Sequence, residues 1–401
     1  MKFLVLGGGL MGPAAAYNAM TEPGVTEVCL ADRMPQALAA ARHALADKPG
    51  AEKLRTASID VADLAATRKL IAGYDVVHTS LPWRATRLAI RAALAENKPL
   101  VDIAVPETGE LEELRLEVEA ANGHVILGAG LDPGLSEIVV RYLADQLDSV
   151  RAVRVLCGGI PQNPEGPLNY RIVFGGDAVW LREADATMVE NGIVRAVPRY
   201  SGLEACSFDG VGDCEAWYDG FPPWLLEHPS LRLLEHGSYK TVRWPGFADK
   251  VRILKDFGFL RQEPIDVDGV SVSPKRVLDA LLVPRLRLRE GEGDIVVLRV
   301  TVEGMSAGRE AVLEVEMVDR YDPLTGITAM GRTTSFPASI IARMAASGLI
   351  EGRGLQTPEQ AIHGMALDLL LDRLADAGIT FSKKATYSDR LAGSGSVEWQ
   401  I

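Results

Sequence analysis

The sequence predicts an α/β protein, a doubly wound parallel sheet followed by a second, α+β domain. Three observations predict it. A short apolar run, Phe3-Leu4-Val5-Leu6, leads straight into Gly7-Gly8-Gly9-Leu10-Met11-Gly12. Strand-like and helix-like stretches then alternate up to about residue 150. Beyond Ser149 the texture changes to Gly, Pro, aromatic and β-branched residues, with long strand-like runs at 295–302 and 311–318. On this reading residues 1–150 are a dinucleotide-binding domain, 151–332 an α+β domain, and 333–401 C-terminal helices with a tail.

Residues 3–6 suit a buried strand, and 11–20 a helix with Pro13 in its first turn, where a missing N–H costs little. Residues 27–31 are the second strand, and Asp32 follows at once. A G-x-G-x-x-G after a strand, opening a helix, with an acid about 20 residues on is a dinucleotide fingerprint. Gly7 permits the tight turn, Gly9 lets backbone approach a pyrophosphate, and Gly12 lets the helix lie close to the sheet. The helix N-terminus then faces the phosphate charge. Asp32 suits a ribose 2′-hydroxyl and repels a 2′-phosphate, which points to NAD; Arg33 beside it is a residue type that binds such a phosphate.

Residues 54–58 are a third strand, ending near Asp60, and 75–79 a fourth. Ser80-Leu81-Pro82 and a helix over 83–95 follow. A fifth strand is expected at 99–103, a charged helix at 109–121 and a sixth strand at 124–127. Asp132 reads as a helix N-cap with Pro133 at the first helical position, or as a substrate group at the carboxyl end of the sheet. Helical patterns return at 336–347 and 358–375. Residues from Ser382 onward have no strong period and read as a loose tail or an interface arm. Cofactor contacts are expected from Gly7, Gly9, Leu10, Met11, Gly12, Asp32, Arg33 and Asp60.

The opening also has the outline of a secretory signal, with Lys2, an apolar run and Ala14, Ala15 and Ala16. Cleavage there would remove the first strand and its glycine loop, and the regular alternation that follows favours the nucleotide reading. With 401 residues, 47% hydrophobic and 24% charged, the chain can bury a large core. No apolar run reaches the roughly 18 residues of a membrane helix. A net charge of -12 argues against nucleic-acid binding. Cys29, Cys157, Cys206 and Cys214 form no CxxC pair, and free thiols with no metal are expected.

Arg243, ahead of Trp244-Pro245-Gly246 and a helical stretch, can hold a carboxylate through two hydrogen bonds, or serve in a structural ion pair. Glu215-Ala216-Trp217-Tyr218-Asp219-Gly220 offers acids and aromatics to a cationic amine, or forms a turn with a solvated acid. His236 and Tyr239 are candidate acid/base groups.

Together LGGGLMG, SLP, VDIAVPE, GAGLDPGLSE, CGGIP, EAWYDG, TVRWPGFADK and RTTSFPASIIARM resemble the saccharopine dehydrogenase superfamily, nearest its lysine 6-dehydrogenase branch. The resemblance covers nearly the whole chain. It implies a Rossmann domain to which the C-terminal helices return, an α+β substrate and dimerisation domain, and a cytoplasmic homodimer. It implies NAD-dependent oxidation of the ε-carbon of L-lysine with loss of ammonia. It carries over Asp132 and Arg243 as substrate contacts, with Thr241 near them; Tyr239 is a further candidate substrate contact. Ser80, Leu81 and Pro82 carry over to the nicotinamide half of the cofactor site. Asp132 or Glu215 is then the group that takes the amine proton. The rivals are an NADPH-dependent reductase of saccharopine or carboxynorspermidine type, which joins an amine to a carbonyl, and a non-catalytic NAD-binding redox sensor.

Overall fold

The first sheet is parallel throughout, with its strands in the spatial order Gly354–Gln356, His124–Ile126, Leu100–Asp102, Val76–Thr79, Lys2–Leu6, Glu27–Asp32 and Leu54–Ser58. Its elements in chain order are β1 (Lys2–Leu6), α1 (Gly12–Met20), β2 (Glu27–Asp32), α2 (Pro35–Leu45), β3 (Leu54–Ser58), α3 (Leu64–Ala72) and β4 (Val76–Thr79). There follow α4 (Trp83–Ala95), β5 (Leu100–Asp102), α5 (Glu110–Ala120), β6 (His124–Ile126) and α6 (Leu135–Ala144). Phe3, Leu4, Val5 and Leu6 are fully buried, as a central strand covered by helices on both faces requires. The computed structural model describes residues 1–106, 110–176, 178–289, 291–389 and 393–400. Gly109, the expected start of the charged helix, and Glu107 of VDIAVPE lie outside the described residues.

The second sheet is built from β7 (Ser149–Pro161), β8 (Ala186–Glu190), β9 (Ile193–Val197), β10 (Glu204–Phe208), β11 (Gly212–Tyr218) and β12 (His236–Arg243). After α7 (Phe247–Asp256), the small hairpin β13 (Ile265–Val267) and β14 (Val270–Val272), and α8 (Pro274–Leu286), it takes up β15 (Asp294–Ser306) and β16 (Arg309–Arg320). The remaining elements are α9 (Ala329–Ala346), β17 (Gly354–Gln356), α10 (Pro358–Ala361), α11 (Met365–Asp376), β18 (Ser382–Asp389) and β19 (Gly393–Gln400). The chain divides into two compact units, Met1–Ile138 with Asp322–Ile379, and Val139–Tyr321 with Thr380–Ile401.

Three elements depart from the expectation. The tail is not loose, because β18 pairs with β16 over seven positions and β19 pairs with β18. Each strand is short and polar, so its partner, which lies far off in sequence, sets its state. The helix expected at 336–347 begins at Ala329, capped by Thr328, which accepts the Gly331 N–H at 3.0 Å, and it carries Pro337 inside. The helix expected at 358–375 is two helices, broken before Met365 at Gly364 (φ +53°).

In the first unit α9 lies along α1 through residues one turn apart. Ser335 donates to Met11 O at 2.9 Å, Ser339 to Ala15 O at 3.4 Å, and Arg343 to Asn18 Oδ1 at 2.9 Å. Burial lowers the Arg343 guanidinium to about 10, with Glu22 opposing. This stripe braces the helix that follows the glycine loop.

Candidate active site

The chain leaves β1 through Gly7 at φ +110°. Its N–H donates to Ala31 O at 2.8 Å, and a Cβ here would stand 2.5 Å from the Ser80 carbonyl oxygen. Only glycine joins the loops after β1 and β4 this closely. A Cβ on Gly12 would collide with the Gly7 carbonyl oxygen. Beside Gly9, by contrast, nothing stands within 4 Å of where a Cβ would be, and Met11 at the start of α1 makes no side-chain cap. An uncapped helix start with open space beside a glycine suits a pyrophosphate.

Asp32 accepts the Gly8 N–H at 2.6 Å through Oδ2 and the Met34 N–H at 2.7 Å through Oδ1. These bonds lock the carboxylate to the glycine loop and leave each oxygen a second lone pair for ribose hydroxyls. Arg33 and Asp60 are exposed, Leu10 is exposed, and Asp60 accepts the Ala62 N–H at 3.0 Å. Ser80 donates its N–H to Leu6 O at 2.8 Å, which sets Ser80, Leu81 and Pro82 where β1 and β4 diverge. That divergence is the switch point at which such sheets bind ligands. These residues fit a dinucleotide.

Two fully buried titratable groups stand behind this loop. His78 Nε2 lies 2.9 Å from Ser80 Oγ, and burial pushes the imidazole down to about 3. Asp102 accepts from Thr79, from Thr86 at 3.0 Å and from the Ala104 N–H at 2.7 Å. Burial outweighs these bonds and pushes its carboxyl up to about 7. Between about pH 4 and 6.5 the native state therefore holds a proton on Asp102 that the unfolded chain lacks, and lacks one on His78 that the unfolded chain holds. Stability falls with rising pH through Asp102 and rises through His78, each by ~1.4 kcal/mol per unit, so the two slopes cancel. Asp102→Asn is expected to expose the His78 slope, with stability relative to wild type dropping as pH is lowered through this window. His78→Gln should show the reverse. Urea melts across the window check this, and variants with profiles parallel to wild type would refute it.

After β6 the chain runs through Gly128 to Ser136. The N-cap expectation for Asp132 is corrected, since α6 starts only at Leu135. Asp132 is exposed, precedes a cis Pro133, and accepts the Ser136 hydroxyl at 3.1 Å. The amide at the helix start, Gly134 N–H, goes instead to Glu137 at 2.5 Å, and Ser136 Oγ lies 2.8 Å from the same carboxylate. Glu137 is 1% exposed; burial and the Asp132 charge push its carboxyl well above the ordinary range. It went unmarked in the sequence, although it ends the GLDPGLSE stretch.

In the second unit β11 and β12 are antiparallel neighbours, with Glu215 opposite Arg243 and Trp217 opposite Thr241. The two-residue period puts these four on one face, while Cys214, Ala216 and Val242 pack in the core on the other. Glu215, expected as a proton acceptor, has another task. It is 7% exposed, and it accepts the Gly246 N–H at 2.6 Å and the Ala248 N–H at 2.7 Å, at the start of α7. With both oxygens held by backbone amides it is no open base, and that assignment is corrected.

Asp219, the second acid of EAWYDG, was offered with Glu215 to a cationic amine but given no separate role. It binds Arg182 at 2.8 Å, Arg199, and the Thr241 hydroxyl at 2.5 Å. Burial raises its carboxyl, but the two guanidiniums and Thr241 outweigh that and hold it below the ordinary range. Following the same two-residue period from Glu215 through Trp217 would have pointed to it. Tyr239 is 2% exposed and meets the Phe221 ring edge-on at 5.6 Å, and its carbonyl accepts the Asp219 N–H at 3.0 Å. It buttresses the Asp219 turn. His236 is exposed at the start of β12.

Arg243 is 7% exposed. Its guanidinium carbon lies 4.9 Å from the Tyr170 ring centre and 5.8 Å from that of Phe247, and Nη1 donates to Val242 O at 2.8 Å. Nε has no hydrogen-bond partner, and among the described residues no carboxylate forms an ion pair with Arg243. The Asp219 carboxylate acts on the Arg243 charge at longer range, and the Tyr170 hydroxyl is a side-chain partner of the guanidinium, so it is the Nε edge that is left open to a further acceptor.

Parallel sheet, glycine loop and acid at the end of β2 define a dinucleotide-binding Rossmann domain, the fold of pyridine-nucleotide enzymes. The family model described as saccharopine dehydrogenase NADP binding domain matches residues 3–127, and that of the saccharopine dehydrogenase C-terminal domain matches 130–379, more than half the chain. The chain belongs to the saccharopine dehydrogenase family. Mitochondrial alpha-aminoadipic semialdehyde synthase of Bos taurus is 24% identical over 396 residues, covering 79% of this chain and 41% of that protein. Carboxynorspermidine synthase of Vibrio alginolyticus is 26% identical over 211 residues, covering 49% of this chain and 47% of that one. The chain thus spans less than half the length of either relative. The solved apo saccharopine dehydrogenase (L-Glu forming) of Saccharomyces cerevisiae shares the fold, with a TM-score of 0.77 at 19% identity, covering 99% of both chains.

Proposed function

We propose that this chain is an NAD-linked dehydrogenase of an amino-acid amine, oxidising the ε-carbon of L-lysine. Ammonia leaves, and the product is 2-aminoadipate 6-semialdehyde, which closes on its own α-amine as piperideine-6-carboxylate. The observation that carries the reading is Arg243, a buried guanidinium whose Nε has no hydrogen-bond partner among the described residues, suited to the α-carboxylate of an amino acid. Thr241 and Asp219 stand beside it on the same face. A bound nicotinamide supplies the hydride acceptor. Asp32 orients the ribose hydroxyls, and Ser80, Leu81 and Pro82 flank the switch point. A lysine amine has a pKa of about 10.4 and must lose its proton before hydride can leave the ε-carbon. Asp132, an exposed carboxylate at the carboxyl end of the sheet, takes that proton. Water then adds to the substrate iminium and expels ammonia. A homodimer is expected, checked by sedimentation.

A second reading, an NADPH-linked reductase that joins an amine to a carbonyl, is favoured by the names of the relatives and by the exposed Arg33 next to Asp32. One screen separates the two. L-lysine and saccharopine are offered with NAD and with NADP, and absorbance of the reduced cofactor is followed. Reduction of NAD by L-lysine with release of ammonia supports the first reading. Turnover of saccharopine alone, with NADP, replaces it with the second. Tight NAD binding without any turnover leaves a sensor.

Asp32→Ser is expected to shift the ratio of kcat/KM for NAD over NADP by roughly ten- to a hundredfold toward NADP. Both values fall in part, because the variant also frees the Gly8 and Met34 amides. The ratio is therefore the readout, and an unchanged ratio would take Asp32 away from the ribose.

A further inference from the structure

Glu215 stands directly across the sheet from Arg243, yet its two oxygens go to backbone amides and not to the guanidinium. Cross-strand neighbours have Cβ atoms about 5 Å apart, and a glutamate opposite an arginine ordinarily pairs with it. Here the carboxylate is drawn away, because its oxygens accept the N–H groups of Gly246 and Ala248. These two amides flank Phe247, the first residue of α7. The Phe247 ring stacks on Trp217 at 5.3 Å with 10° between planes, meets Tyr170 edge-on at 5.4 Å, and lies beside the Arg243 guanidinium. Gly246 has φ +85°, a sharp entry that the carboxylate clamp holds in place.

We propose that Glu215 is a positioning residue for Arg243, acting through Phe247. By binding the start of α7 it seats the ring against the guanidinium, and by turning away it leaves the guanidinium edge unmatched for a substrate carboxylate. A carboxylate buried to 7% exposure with an amide on each oxygen is spent on holding the start of α7. The proposal rests on the reading of Arg243 as the carboxylate clamp and concerns how that clamp is built.

The test follows the Arg243 Nε–H resonance by nitrogen-15 NMR in the full chain, assigned by its loss in Arg243→Lys. Ring currents from Tyr170 and Phe247 place it away from the bulk arginine position in wild type. Glu215→Gln keeps the side-chain size but offers a single acceptor oxygen to two amides, and Phe247→Leu keeps the helix but removes the ring. Both are expected to move the resonance toward the bulk position, with the Tyr170 contribution remaining. Both should also raise KM for L-lysine about tenfold with kcat changed less than about threefold, the loss of part of a charged hydrogen bond. Cadaverine, which lacks the carboxylate, should show no such rise. An unshifted resonance in both variants, or a fall in kcat at constant KM for both amines in Glu215→Gln, would overturn the proposal. The reading beneath it is tested separately in wild type. L-lysine should move the Arg243 resonance and cadaverine should not, and if neither moves it the clamp itself is wrong, whatever positions it.

Discussion

Arg243→Lys is expected to lower kcat/KM for L-lysine by roughly ten- to a thousandfold, and Arg243→Ala by at least as much. The guanidinium is 7% exposed, lies over the Tyr170 ring, and has no partner for Nε among the described residues. Such a group offers two parallel donors to a carboxylate, and an ammonium at the same place offers one point charge without the planar fork. In the proposed reaction the α-carboxylate is remote from the reacting ε-carbon, and the clamp fixes the orientation of the substrate. Its loss should therefore cost orientation as well as binding. NAD affinity should barely change. Cadaverine should be a poor substrate of wild type and lose little more in either variant. Full activity on L-lysine in a folded Arg243→Ala, or an equal loss for cadaverine, would return Arg243 to a structural role.

The second large effect separates two glycines of one loop. In Gly12→Ala the added carbon meets the Gly7 carbonyl oxygen, which is backbone and cannot step aside. The variant is expected to lose about 1–3 kcal/mol of stability and at least about a hundredfold in NAD affinity, because the turn itself must move. In Gly9→Ala the carbon enters open space, so the melting temperature should stay near that of wild type. NAD affinity should still fall by about tenfold or more, since the carbon occupies the approach of the pyrophosphate. Thermal melts and NAD titration of the two variants check this. Wild-type NAD affinity in Gly9→Ala would move the phosphates elsewhere, and an unperturbed melt in Gly12→Ala would contradict the close approach of α1 to the loop.

The legible parts of this protein are those governed by neighbours in sequence. The first three strands, the glycine loop and the helix over 83–95 were readable because each is set by a run of a few residues, as with Pro13 in the first turn of α1 or the buried run of β1. Asp32 could be read because the acid follows its strand directly. The spacing of Gly7, Gly9 and Gly12 announced a nucleotide loop. It could not announce that Gly12 clears the Gly7 carbonyl while Gly9 borders open space, since a glycine is the same letter in both tasks.

The rest depended on partners distant in the chain. β18 and β19 have no pattern of their own and became strands by pairing with β16 and with each other. Asp132 had the residue type of a cap, but the Gly134 amide found Glu137, which burial had brought to it. Glu215 and Asp219 are two acids four residues apart in one motif. One was taken by amides 31 and 33 positions away, the other by two arginines and Thr241. Sequence told which residue types were present and that they lay in short motifs. Which lone pairs were already filled, and so whether Arg243 kept an unmatched edge, was decided only when the β11–β12 pair and the start of α7 came together. Hydrogen bonds are satisfied by proximity in space, and chain order does not encode it.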